Sequence, residues 1–132
     1  MPEREVITLS DPCALAVTWK VDPEVMKRVF QAAELFTNFT RSPVWIISGY
    51  RTRLEQMHLG RVGRPTAPDA VSTHRSCPAT GVDISLGALP SREKKRFWGQ
   101  MAESAGLRWG GGGKVDEGGI PLDWPHVDLG PR

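Results

Sequence analysis

The sequence predicts an α+β fold in which two main helices pack on a small, mostly antiparallel sheet. Two segments repeat apolar residues every three or four positions, as amphipathic helices do. Several shorter apolar runs, rich in strand-forming residues, are bounded by Gly and Pro. Helices and strands alternate along a chain of 132 residues without an internal repeat, so residues 1–132 are predicted to form a single domain.

The first predicted helix spans residues 22–39 and has a clear beginning. Asp22 is a favoured N-cap, and Pro23 suits the first helical position, where its missing N–H costs no hydrogen bond. The second predicted helix begins at residues 89–91 and ends near Gly106, because glycine commonly follows a helix. The apolar stripes consist of Val25, Val29, Ala32, Ala33 and Phe36 in the first helix and of Phe97, Met101, Ala102 and Ala105 in the second.

The predicted strands are short and separated by turn-forming segments. They comprise residues 44–47, 81–85, 107–109 and 122–129, the last interrupted by Pro125. Residues 51–59 are predicted to form a short helix and residues 60–69 a loop rich in Gly and Pro. Residues 110–119 include six glycines, which indicates a flexible loop. Residues 1–21 are expected to be a strand or loop that leads into the fold.

Composition and charge exclude several classes of function. The net charge of +2 is too small to indicate nucleic-acid binding. No apolar run approaches the roughly 18 residues of a membrane span, so no membrane partner is expected. The N-terminus lacks the basic start and apolar stretch of a secretory signal, so we expect synthesis in the cytoplasm. Cys13 and Cys77 match neither a disulfide framework nor a CxxC metal motif, and both are predicted to be reduced.

Two of the three histidines lie where a side chain can point into a cleft. His74 and His126 stand among turn formers and short polar residues, whereas His58, in a helical stretch, is typical of a helix-surface or packing residue. Asp83 interrupts an apolar strand, and Asp is disfavoured there unless it has a partner. Two histidines and one carboxylate would form a three-ligand zinc site with an open fourth position. The alternative is that each is an ordinary packed or solvent-facing side chain.

Two further acids lie close to His126, and their spacing leaves their roles open. Asp128 shares a face with His126 in an extended strand, so it is the better outer-shell partner on spacing alone. Asp123, three residues before His126, reaches the same site only if the chain bends near Pro125.

Four ordered segments of this chain resemble those of the M15-type zinc peptidases, which include D-alanyl-D-alanine carboxypeptidases and L-alanyl-D-glutamate endopeptidases of phage endolysins. They are Ser48-Gly49-Tyr50-Arg51-Thr52, then Ser72-Thr73-His74 with Gly81-Val82-Asp83-Ile84, then Gly106-Leu107-Arg108-Trp109-Gly110-Gly111, and finally Asp123-Trp124-Pro125-His126. The resemblance covers residues 44–128, and it implies a compact α+β fold with the metal on the sheet.

The resemblance also assigns the site residues. It implies that His74, Asp83 and His126 hold a zinc ion, that Asp123 is the general base, and that Arg51 binds substrate and stabilises charge. Ser72 is expected to hydrogen-bond the substrate, with the capping of a turn as the alternative.

The chain departs from the family pattern at two places. Asp83 is the ninth residue after His74, which is a longer spacing than is usual in the family and makes Cys77 a rival ligand. The glycines after Trp109 are not followed by the expected aromatic residue, so we expect the substrate groove to have a different lining.

The resemblance implies hydrolysis of peptide bonds in the stem peptide of bacterial peptidoglycan. We expect an L-alanyl-D-glutamate endopeptidase that acts as a monomer at the cell wall, in the manner of an endolysin released through a holin. The alternatives are a D-alanyl-D-alanine carboxypeptidase and a non-catalytic wall-binding or virion structural domain with a structural metal.

Overall fold

The computed structural model describes residues 4–50 and 78–130, which form an antiparallel five-stranded sheet with three α-helices. The strands are β1 (Glu5–Val6), β2 (Trp45–Ser48), β3 (Gly81–Ser85), β4 (Arg108–Trp109) and β5 (His126–Asp128). The helices are α1 (Pro12–Trp19), α2 (Pro23–Thr40) and α3 (Arg92–Ser104), with 3₁₀ turns at Ile7–Leu9 and Gly110–Gly112. The predicted α+β class and its antiparallel sheet are therefore confirmed.

All three helices begin at a capping side chain. Asp11 accepts a hydrogen bond from the N–H of Cys13, and Asp22 accepts one from the N–H of Glu24. The Ser91 hydroxyl accepts from the N–H of Lys94 at the start of α3. The starts of α2 and α3 thus agree with the sequence prediction, whereas α1 lies inside the segment that was expected to be strand or loop.

The helices cover one face of the sheet and bury its apolar residues. Ile46, Val82, Ile84 and Val127 pack from the strands into a core that they share with α1, α2 and α3. Because side chains alternate along a strand, Asp83, His126 and Asp128 lie on the opposite face. The sheet therefore separates the apolar core from a face that carries the candidate functional side chains.

The strands occur in the order β1-β2-β3-β5-β4, with every neighbouring pair antiparallel. The last strand in the sequence consequently lies between β3 and β4. Residues 122–125 form a turn and only His126–Asp128 are strand, so the predicted strand 122–129 is shorter than expected. Within the described ranges, no helix combines the length and apolar character that a bilayer span requires.

Candidate metal site on the sheet

Three side chains form a row across the middle of the sheet. Asp83 in β3 is the register partner of His126 in β5 and, on its other side, of Ser48 in β2. The register between β2 and β3 shifts after Ile46, and this irregularity brings Ser48 rather than Ile47 opposite Asp83. The row joins residues that are up to 78 positions apart in the sequence, from 48 to 126.

Asp83 and His126 are in direct contact. The Nδ1 atom of His126 lies 3.1 Å from Oδ1 of Asp83. The histidine side chain is 9% exposed and the aspartate side chain 17%, so both are largely removed from solvent but reachable from it. Asp83 therefore has the partner that an acid inside an apolar strand was predicted to have.

The other ring nitrogen of His126 faces a second carboxylate. Its Nε2 atom lies 2.7 Å from Oδ2 of Asp128, whose side chain is fully buried. Arg108 binds both oxygens of Asp128 in a two-pronged ion pair with distances of 2.8 Å each, and the N–H of Gly130 donates to Oδ1 at 2.7 Å. The predicted contact between Asp128 and His126 is thus present, and it extends to an arginine.

This arrangement requires a cation at the Nδ1 side of His126. A neutral imidazole has one N–H, yet two carboxylates approach the two ring nitrogens. Burial of the ring lowers its pKa, but the hydrogen bonds to Asp128 and Asp83 outweigh burial and raise the pKa of His126 to about 9. Burial also acts to raise the pKa of Asp128, but the hydrogen bonds from His126 and Arg108 hold it well below its usual range. Either a proton or a metal ion must therefore lie between Nδ1 and Asp83.

The pair fits the requirements of a zinc ion. Adjacent ligands of a tetrahedral zinc with bonds of about 2.0–2.2 Å are separated by about 3.3 Å, and Nδ1 of His126 lies 3.1 Å from Oδ1 of Asp83. Zinc-binding histidines usually donate their other ring N–H to a carboxylate, and Asp128 occupies that position. Within residues 4–50 and 78–130, no three His, Cys, Asp or Glu side chains form a complete metal-binding group.

The turn before β5 brings the backbone of Asp123 back to His126. The N–H of His126 donates to the carbonyl oxygen of Asp123 at 3.1 Å, so the chain bends as the presence of Pro125 allowed. The carbonyl of Pro125 accepts from the N–H of Ile84, and that of Trp124 accepts from the indole N–H of Trp109, at 3.0 and 2.9 Å. The segment is consequently anchored to β3 and to β4.

The glycines after Trp109 pack against the site. Gly110, Gly111 and Gly112 all have positive φ angles, between 68° and 77°, which side chains other than glycine rarely adopt. A Cβ atom on Gly111 would lie 3.1 Å from Cδ2 of His126. The beginning of the predicted flexible loop is therefore a 3₁₀ turn that closes over the histidine ring.

Several predicted site residues lie outside the described ranges. They are Arg51, Ser72 and His74, together with the rival ligand Cys77 and with His58. Their roles remain predictions, whereas Asp83 and His126 are brought together. Arg108 was not predicted as a site residue, because a separation of 20 residues from Asp128 gives no periodic signal.

A similar fold is known in a solved structure. The chain is similar to the L-Ala D-Glu endopeptidase ChiX of Serratia marcescens, with a TM-score of 0.58 and 19% sequence identity, over 83% of this chain and 80% of that chain. At this identity the likeness is evidence of a shared fold. No family model and no curated protein matches the sequence.

Proposed function

We propose that this chain is a zinc metallopeptidase that hydrolyses peptide bonds in the stem peptide of bacterial peptidoglycan. The observation that carries the proposal is the orientation of His126, whose Nε2 atom faces a buried carboxylate while Nδ1 faces Asp83. A packing histidine needs no second carboxylate, whereas a metal ligand needs both an outer partner and a neighbouring ligand.

In this proposal His74, Asp83 and His126 hold the metal. Two of them already have the separation that adjacent zinc ligands require. The third follows from the ordered resemblance of the sequence to zinc peptidases. Bound zinc would polarise the scissile carbonyl and lower the pKa of water to about 7.

The chain's own residues would move the proton and hold the substrate. A carboxylate oxygen of Asp123 would accept the proton of the attacking water and pass it to the leaving amine. The turn at Pro125 supports this role because it returns the chain at Asp123 to His126. Arg51, with its planar set of N–H donors, would bind a substrate carboxylate or the developing oxyanion, and Ser72 would hydrogen-bond the peptide.

The favoured bond is the one between L-alanine and D-glutamate. The support is the similarity in fold to ChiX, an L-Ala D-Glu endopeptidase. The proposal includes action as a monomer at the cell wall, with release from the cytoplasm through a holin as in endolysins.

Digestion of purified peptidoglycan by zinc-loaded protein, followed by mass spectrometry of the soluble fragments, tests the proposal. We expect stem peptides with a new amino terminus at D-glutamate, and no release after addition of a chelator. The variant His126→Ala is the matched inactive protein. Release of free D-alanine alone would indicate a carboxypeptidase. Stoichiometric zinc without any cleavage would contradict the enzymatic proposal and favour a structural metal.

A further inference from the structure

We propose that Arg108 is a positioning residue that holds Asp128 so that His126 keeps its N–H at Nε2 and presents Nδ1 toward Asp83. This inference rests on the proposed zinc peptidase function for its consequence, the affinity for metal. Its geometric part, the orientation of the ring, is a property of the metal-free chain.

Arg108 contacts Asp128 through two parallel hydrogen bonds. Its Nε atom donates to Oδ1 and its Nη2 atom donates to Oδ2, both at 2.8 Å. The two residues are register partners in β4 and β5, so the backbone ladder itself places them opposite each other. A guanidinium that binds in this way fixes the plane of the carboxylate as well as its position.

The carboxylate of Asp128 has no remaining capacity to accept hydrogen bonds. An ionised carboxylate offers about four lone-pair positions. Oδ1 accepts from Arg108 and from the N–H of Gly130, and Oδ2 accepts from Arg108 and from His126. Because two N–H groups of Arg108 and the N–H of Gly130 already point at this carboxylate, it acts as an acceptor, and the nitrogen of His126 that faces it carries the proton. The Nδ1 atom is thereby left as the ring nitrogen that can bind a metal.

Arg108 also balances the charge behind the histidine. Asp128 is fully buried, and a buried carboxylate without a cationic partner is strongly disfavoured. The guanidinium of Arg108, whose side chain is 33% exposed, supplies the opposite charge. Loss of the guanidinium would remove two of the four hydrogen bonds that fix the carboxylate, so the carboxylate could turn away from Nε2 of His126.

The local backbone leaves room for the guanidinium. Gly112 has a φ angle of 72°, and a Cβ atom there would lie 2.7 Å from Nη1 of Arg108. The last residue of the 3₁₀ turn therefore borders Arg108, while Gly111 of the same turn borders the ring of His126. The glycine segment 110–112 therefore accommodates both ends of the hydrogen-bonded series Arg108–Asp128–His126.

The experiment compares Arg108→Met and Arg108→Lys with Arg92→Met as the matched control. Arg92 makes a similar two-pronged ion pair with Asp116, but that pair is exposed and has no contact with His126. Two quantities are measured. The first is the zinc dissociation constant, by chelator competition. The second is the NMR signal of the His126 Nε2–H proton in metal-free ¹⁵N-labelled protein. Far-UV circular dichroism checks that each variant is folded.

We expect Arg108→Met to raise the zinc dissociation constant about 10- to 100-fold, as losses of outer-shell partners do, and to lose the protected Nε2–H signal. Arg108→Lys should recover part of both, because lysine restores the charge without the planar fork. Arg92→Met should match the wild type in both. If Arg108→Met fails to fold, the lysine variant decides, and a wild-type signal with wild-type affinity there overturns the proposal.

The outcomes separate this inference from the proposed function. A wild-type protein that binds no zinc would refute the proposed function, and the Nε2–H signal would then decide alone whether Arg108 positions the ring. A normal Nε2–H signal in Arg108→Met refutes the positioning role, whatever the metal affinity. Loss of the signal with unchanged zinc affinity also refutes it, because the ring would then bind metal without help from Arg108.

Discussion

Replacement of Asp128 by Asn tests how strongly the buried carboxylate holds the sheet together. The substitution preserves the shape of the side chain but leaves one acceptor oxygen where there were two. Four donors converge on Asp128, from Arg108, His126 and Gly130. An amide oxygen accepts about two hydrogen bonds, and the amide NH₂ group would face donors instead of acceptors.

The expected loss of stability follows from this arrangement. Removal of one partner of a buried ion pair costs about 3–5 kcal/mol. For a domain of this size that loss lowers the Tm by roughly 12–20 °C. Urea denaturation and thermal melting of metal-free protein measure the change, and zinc titration of the same variant should show about 10- to 100-fold weaker binding.

A matched control separates burial from the number of hydrogen bonds. Asp116 also accepts four hydrogen bonds, two from Arg92 and one each from the N–H groups of Gly118 and Ile120, but its side chain is 31% exposed. Asp116→Asn should therefore cause a much smaller loss, because solvent screens the pair and can replace lost partners. Equal losses in the two variants would refute the reasoning from burial.

Four other variants or conditions test separate parts of the structure. Gly111→Ala should weaken zinc binding measurably in a titration, since alanine at positive φ costs about 1–2 kcal/mol and its methyl group would press on His126. Gly99→Ala in α3 should destabilise the fold by about 1–3 kcal/mol in urea, despite better helix propensity, because its methyl group would overlap the ring of Trp109. Asp123→Asn should retain zinc by elemental analysis and lower turnover about 10²- to 10⁴-fold; near-normal turnover would exclude the base assignment. In metal-free protein the pKa of His126 is raised from 6.5 to about 9. The contribution of His126 to the free energy of unfolding is therefore complete below pH 6.5 and is lost as the pH rises through 9. A free energy of unfolding that does not fall between about pH 7 and 10 would contradict the raised pKa.

The helices show which sequence signals are sufficient to predict where a helix begins and how long it is. Asp22 and Pro23 predicted the start of α2, and an apolar stripe predicted its length. Asp11 and Pro12 carry the same start signal for α1, although a strand or loop was expected in this segment. The reason is that α1 carries apolar residues on its exposed face as well as on its buried face. Val17, for example, is 79% exposed, so no periodic apolar stripe marks the buried face.

The candidate metal site shows that local sequence patterns identify unusual residues but do not predict contacts between distant strands. Asp83 and His126 were each identifiable as unusual residues, and the alternation in β5 correctly predicted that Asp128 would accompany His126. The contact between Asp83 and His126, however, depends on the register of β3 against β5, and that of Arg108 with Asp128 depends on the register of β4 against β5. Register between distant strands is decided by the packing of the whole sheet.

The position of β5 between β3 and β4 has a consequence for synthesis on the ribosome. β5 follows every other described strand in the sequence, yet it fills an interior place in the sheet. Until it emerges, the edge of β3 is open, and open edges promote pairing between chains. A charged side chain in the middle of an edge strand discourages such pairing, and Asp83 occupies that position in β3. We therefore expect Asp83 to reduce aggregation of the nascent chain before β5 has paired with β3.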